Sequence, residues 1–210
     1  MNGKAIQYLD KLLSSIKNQT FTDYEIIISD HSKNDIIKNY IENHELKINY
    51  YKNEHGVGNS SINMNNGIKS SNGEYIKIIH MDDFICNNDM LLKINNKILE
   101  TNKCWGGVGF NHIQDENYSN IKNIIIPAEN NFYGCPSISF FKNDENYFDE
   151  NLIYINDKDI HTRLHKKYGV PICINDVCMT IRLHGNQVSN LMITNEIKNK
   201  ENNYFNSKVI

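Results

Sequence analysis

A chain of 210 residues, 40% hydrophobic and 22% charged, can bury one sizeable core and is not a disordered sequence. Its net charge of −3 argues against a general affinity for nucleic acid, and no apolar run approaches the roughly 18 residues that span a bilayer. Five cysteines, odd in number and without CxxC spacing, read as reduced, mostly buried thiols of a cytosolic protein rather than a disulfide frame or zinc site. Nothing at the start of the chain reads as a signal peptide.

The first half alternates helix and strand. Residues 5–18 put Ile6, Leu9, Leu12, Leu13 and Ile16 on one helical face. Tyr24 to Ser29 is a short apolar run of the kind found in buried parallel strands. A helix from Asp35 to Asn43, a strand from Lys47 to Lys52 and a helix from Asn59 to Ser71 follow, the last stopped by Asn72-Gly73. The strand Glu74 to Ile79 then runs into His80-Met81-Asp82-Asp83. Such alternation predicts an α/β layer with a mostly parallel sheet, whose ligands bind at the carboxyl ends of the strands.

The second half is less regular. A helix is predicted over Asp89 to Leu99, with strands over Trp105 to Ile113 and Ile121 to Ile126 around a polar loop. Phe132 to Phe141 is apolar and holds Gly134 and Pro136. A helix from Asp157 to Tyr168 ends at Gly169, with Pro171 just beyond. Val177 to Leu183 is strand-like, and from Ser189 a last amphipathic helix runs into a polar tail. No internal repeat or interdomain linker is visible.

Four loops carry candidate chemistry. Asp30, at a strand end, suits ribose or base contacts, while Asn34 or Asp35 suits a helix cap. Gly56-Val57-Gly58-Asn59 is either a phosphate-facing turn or a plain turn with a cap. Asp82 and Asp83 are adjacent carboxylates, which favours a cation between them and a phosphorylated ligand over a solvated loop pair. Asp157 and Asp159 open a helix, where acids are ordinary dipole partners and one can also act as a general base. His161 and His165 have the spacing of a zinc pair but lack the HExxH glutamate and read as surface residues. His184 opens a polar loop after a strand and by itself reads as structural.

Taken in order, these segments resemble glycosyltransferase family 2, with the GT-A fold. Asn18-Gln19-Thr20-Phe21 is similar to that family's "NQTY", and Ser29-Asp30-His31-Ser32 to its "VDDGS" loop. Gly73-Glu74-Tyr75-Ile76 with Asp82-Asp83 resembles "GEYI…DxDD", and Phe148-Asp149-Glu150 resembles "FDE". Asn156-Asp157 falls at the "ED" motif, and Arg182 to Ser189 resembles the closing "RxH…S". The likeness covers about residues 5 to 190.

That resemblance implies an α/β GT-A fold, Rossmann-like, with flanking helices in one domain over residues 1–210. About 1–100 would form the nucleotide-sugar half, about 101–190 the acceptor half, and 191–210 a C-terminal helix and tail. It implies inverting, metal-dependent transfer of a sugar from a nucleotide-diphospho-sugar, a UDP-sugar first, to a glycan or lipid-linked acceptor, in the cytoplasm or peripherally at a membrane. Asp30, Ser32, Asn63, Asn65 and Asp82 would bind the donor. Asp82, Asp83 and His184 would hold Mn²⁺ or Mg²⁺, and Asp157 would be the catalytic base. Three departures accompany it. His80 stands where the triplet begins with Asp, and Asn156 replaces a Glu. Met1-Asn2-Gly3 lies where the family's first, central strand ends. The last motivates an alternative, a catalytically inactive GT-A-like remnant or binding module. A nucleotidyltransferase is disfavoured, because no glycine-rich, Lys/Arg-rich triphosphate loop lies near the amino end.

Overall fold

The computed structural model describes residues 2–114, 117–129, 132, 134–185 and 187–209. Helix α1 (Asn2–Lys17) packs its predicted face, including Leu9 and Leu13, on Ile37 and Ile41 of α2 (Ile36–Ile41). The partly buried isoleucines 26, 28 and 48 of strands β1 (Ile26–Asp30) and β2 (Ile48–Lys52) complete that cluster. β1 and β2 pair in parallel, Asp30 opposite Lys52. They form a two-stranded sheet, while a six-stranded sheet runs β3-β7-β5-β8-β4 with β6 on β5.

That larger sheet comprises β3 (Tyr75–Lys77), β4 (Phe84–Ile85), β5 (Trp105–Gln114), β6 (Asn117–Ile125), β7 (Ser139–Lys142) and β8 (Ile172–Leu183). The layer is α/β as expected, but its strands are mixed rather than mostly parallel. Among the described residues only β1–β2 and β5–β8 run parallel. Each of those pairs has a helix between its strands in sequence, the connection parallel strands need. β3–β7, β4–β8, β5–β6 and β5–β7 are antiparallel.

Three further helices matter to the site: α3 (Ser60–Lys69), α4 (Met90–Thr101) and α5 (Asn156–Tyr168). α4 covers the core of β5 and β8, with Met90 and Ile94 against Val108, Phe110 and Met179. α3 and α5 close a second core around Trp105, with Ile68, Phe141, Ile160 and Leu164. The Trp105 indole N–H donates to Gly169 O at 2.8 Å, tying the end of α5 to β5. Gln19 explains the "NQT" segment structurally. Its amide donates to Asn87 O at 3.0 Å and accepts from Leu91 N at 3.1 Å, supplying an acceptor that the first turn of α4 lacks.

Two predicted elements change shape. The strand from Glu74 stops at Lys77 rather than Ile79. Its partner β7 begins only at Ser139, after a 3₁₀ turn at Pro136–Ile138, so no ladder is available further on. The last helix is interrupted: a short α6 (Val188–Leu191) precedes α7 (Asn195–Val209). The predicted polar tail is this helix, docked through Phe205 on Leu152 and Ile155. Among the described residues no helix is long and apolar enough to cross a membrane. The cysteines are all unpaired, as predicted, but only Cys178 is buried.

Candidate active site

The loop after β3 gathers three donor groups. His80 Nε2 and carboxylate oxygens of Asp82 and Asp83 all lie within 4.8 Å of one another. The backbone bends there because Asp83 N donates to His80 O at 3.0 Å. Asp83 is buried and held on both oxygens, by Ser137 Oγ at 2.6 Å and Arg182 N at 3.1 Å. Burial, then the charge of Asp82, raises its carboxyl above the ordinary range. Asp82 is more open, at 27% side-chain exposure, and His184 Nε2 lies 3.0 Å from its Oδ2. The Asp82 carbonyl accepts from Arg182 Nε at 3.0 Å, and the Arg182 guanidinium stacks 4.3 Å over Tyr8.

Asp82, Asp83 and His184 are thus brought together as the motifs suggested. His80 joins them. Its N–H donates to Ser137 Oγ at 2.9 Å, yet its Nε2 is buried without a hydrogen-bond partner. Burial lowers the imidazole's affinity for a proton, which leaves a lone pair available. A buried, orphaned ring nitrogen aimed at two carboxylates fits a divalent cation better than it fits a dry structural role. Lys77, at the end of β3, is half-buried, its ammonium donating to Ile78 O and Ser137 O. Burial brings its pKa down to about 7.

Asp30, Ser32 and Asn63 line one cleft of about 360 Å³, which also reaches Ala5 and Met81. Met81 precedes Asp82, so the loop that carries the carboxylates borders this cleft. Asp30 accepts from Ser32 N at 2.7 Å and Tyr50 Oη at 2.7 Å, with Lys52 Nζ at 3.3 Å. Burial would raise its carboxyl, but these hydrogen bonds hold it below the usual range. Asn63 bridges α3 to β1, its Nδ2 donating to Ser29 O at 2.9 Å. A second cleft of about 420 Å³ is lined by His184, Gln187 and Asn190.

Asn65 is not in either cleft. Two positions along a helix turn the side chain by about 200°, away from Asn63. Its amide is consumed by Phe148, which it bonds through both N and O, and by Glu150. The glycine turn before α3 takes its plain form: Asn59 caps the helix by accepting from Ile62 N at 3.2 Å.

Asp157 stands apart, half-buried in the first turn of α5. Burial pushes its carboxyl up to about 6. One turn on, His161 is buried rather than on the surface, against Trp105 and Phe132, with its Nε2 3.1 Å from Ser139 Oγ. Burial lowers it to about 4, so it is a neutral core residue, while His165 is exposed as expected. Ser137 and Lys77 carried no sequence signal as site residues. Arg182 sat in a quoted motif without a role.

A family model described as "Glycosyl transferase family 2" matches residues 2–180. The chain is 35% identical over 78 residues to the GalNAc(5)-diNAcBac-PP-undecaprenol beta-1,3-glucosyltransferase of Campylobacter jejuni, covering 36% of this chain and 25% of that protein. The structure of S. aureus TarS 1-349 with UDP-GlcNAc superposes with a TM-score of 0.69 at 16% identity, over 90% of this chain and 59% of that one. A Pyrobaculum calidifontis mannosyltransferase with GDP-Man and Mn²⁺ gives 0.64 at 16%, over 86% of this chain and 54% of that one. The chain therefore spans less than two thirds of each of these proteins. With a family match running through the strand-end carboxylates and α5, and a fold shared with GT-A enzymes, the chain belongs to glycosyl transferase family 2.

Proposed function

We propose that the chain binds a UDP-sugar in the Asp30–Ser32–Asn63 cleft and transfers the sugar, with inversion, to a hydroxyl of a glycan or lipid-linked acceptor. The observation that carries this is the trio of donor groups His80 Nε2, Asp82 and Asp83, in the loop whose Met81 lines that cleft. A divalent cation bound by these groups would neutralise charge developing on the leaving diphosphate. An imidazole among the donors favours Mn²⁺ over Mg²⁺. Support for these choices comes from the relatives: one solved neighbour carries UDP-GlcNAc, another Mn²⁺, and the curated relative's name holds a PP-undecaprenol acceptor. The same reading assigns residues 1–210 to one domain acting in the cytoplasm, or at a membrane surface where the acceptor is lipid-linked.

Asp82 and His80 offer donor atoms, and Ser137 and the Arg182 amide hold Asp83 in place. His184 orients Asp82 from the other side. Asp157 takes the proton of the acceptor hydroxyl. The acceptor oxygen then bonds to the anomeric carbon as the bond to the diphosphate oxygen breaks and UDP leaves with the electron pair. A single displacement needs only this one base, and a carboxyl near 6 is ionised at neutral pH while remaining basic enough to accept the proton.

Calorimetry with UDP tests the reading. Saturable binding that requires Mn²⁺ and disappears in Asp82→Ala is expected; no UDP binding with any divalent cation would remove it. The divided sheet and the hydrogen bonds that already occupy Asp30 favour a second reading, a binding module without transfer. UDP binding with no release of UDP from any UDP-sugar, whatever the acceptor, would select it.

A further inference from the structure

Helix α5 begins without a cap of its own. Its N-cap residue, Ile155, has no side chain able to accept a hydrogen bond. The backbone N–H groups leading into the helix are instead collected by a carboxylate from far along the chain. Glu201, in α7, accepts from Ile153 N at 3.0 Å, Tyr154 N at 2.9 Å and Ile155 N at 3.1 Å. Only 5% of Glu201 is exposed, so these bonds form out of competition with water.

The same face of α7 holds the rest of this segment. Phe205, one turn on, packs with Leu152 and Ile155. Lys208, nearly two turns on, bridges Asp149 Oδ2 at 2.5 Å and Asp159 Oδ1 at 2.6 Å. Positions 201, 205 and 208 follow the i, i+4, i+7 spacing of one helical stripe. From the opposite side, Asn156 Nδ2 lies 3.2 Å from Ser60 Oγ and 3.1 Å from Ser61 Oγ of α3. Ser61 Oγ in turn donates to Leu152 O at 2.5 Å. Residues 149–159 are therefore clamped between α3 and α7, with Asp157 in the clamped turn. α7 lies beyond residues 2–180, the part matched by the family model.

We propose that Glu201 is a positioning residue for the transfer, fixing the first turn of α5 and with it the Asp157 carboxylate. The proposal rests on the reading of Asp157 as the base. Without the Glu201 carboxylate the three N–H groups lose their acceptor, the turn loosens, and Asp157 moves into water and out of line with the acceptor. A displacement of about 1 Å at a reacting group costs on the order of 10²-fold in rate.

Glu201→Gln keeps the shape and the Phe205 and Lys208 contacts and one acceptor oxygen, but removes the charge and turns an amide N–H₂ on at least one of the loop's own donors. Two readouts test it. The first, on the protein alone, is the Asp157 carboxyl titration followed by carbon-detected NMR. Its midpoint is expected to fall from about 6 toward the ordinary value of about 4 in Glu201→Gln. The second is release of UDP from UDP-GlcNAc with Mn²⁺ and water as acceptor. Its kcat is expected to fall about 10- to 100-fold while the Kd for UDP stays within about twofold. In an Asp157→Asn background, Glu201→Gln is expected to cost nothing further. An unchanged Asp157 midpoint in folded Glu201→Gln overturns the proposal, as does an unchanged kcat. If Glu201→Gln does not fold, Glu201→Asp decides on the same two readouts, since its shorter carboxylate cannot reach all three donors. Asp157→Asn releasing UDP as fast as the parent chain would instead overturn the base reading itself, which separates the two failures.

Discussion

An imidazole and a carboxylate in the same position ask for different cations. His80 contributes a neutral nitrogen where Asp82 and Asp83 contribute charge, and its Nε2 has no other partner. His80→Ala is expected to weaken Mn²⁺ binding in the UDP complex by about 10- to 100-fold. His80→Asp should narrow the preference for Mn²⁺ over Mg²⁺; calorimetric titration of both metals would check this, and an unchanged preference would show that the ring does not ligate. Asp157 sets a second residue-scale expectation. A base works in its ionised form, and burial has moved this carboxyl up to about 6. Turnover should therefore be flat above that pH and fall about tenfold per unit below it. Asp157→Asn should lower turnover by about 10² to 10⁴ above that pH, with the deficit shrinking below it, and leave UDP affinity intact. Equal loss of both would take Asp157 out of the base role.

Among the elements, β5 and β8 carry the frame on which the site is built. They pair in parallel, Gly106 beside Ile172, and β8 delivers the Arg182 amide to Asp83. The backbones approach so closely that a Cβ at Gly106 would meet the carbonyl oxygen of Ile172. A Cβ at Gly109 would sit 2.6 Å from Asp176 O. Backbone cannot yield as a flexible side chain would. Gly106→Ala is therefore expected to destabilise the fold by about 1 to 3 kcal/mol, read as a lower urea midpoint. No change in the midpoint would mean that the two strands separate at little cost. α3 serves both halves of the site: Asn63 faces the cleft, and Asn65 on the far side anchors the Phe148–Glu150 loop that leads to α5.

Across the whole molecule, two sheets are joined by side chains rather than by a strand ladder. Glu25, just before β1, accepts from Asn72 N and Gly73 N, at the turn into β3. Ser15 of α1 accepts from Ile85 N of β4 at 3.1 Å. The larger cleft-facing loops hang on this arrangement, with β1 ending at Asp30 and β3 leading to Asp82. Helix positions, the apolar face of α1, the strand-end placement of Asp30 and the position of Asp82 after the Glu74 strand were legible in the sequence. Each depends on neighbours a few residues away, and periodicity and turn chemistry report those directly. Tertiary structure alone decided the mixed pairing of the strands, the early end of β3 and the burial of His161. It also decided which side of α3 faces the cleft. It brought Ser137 to Asp83 across 54 residues, the Arg182 amide to Asp83 across 99 and His184 to Asp82 across 102. It turned a polar C-terminal stretch into the helix that caps α5. Whether a buried donor or acceptor is satisfied depends on a partner distant in the chain, and no local pattern encodes that partner.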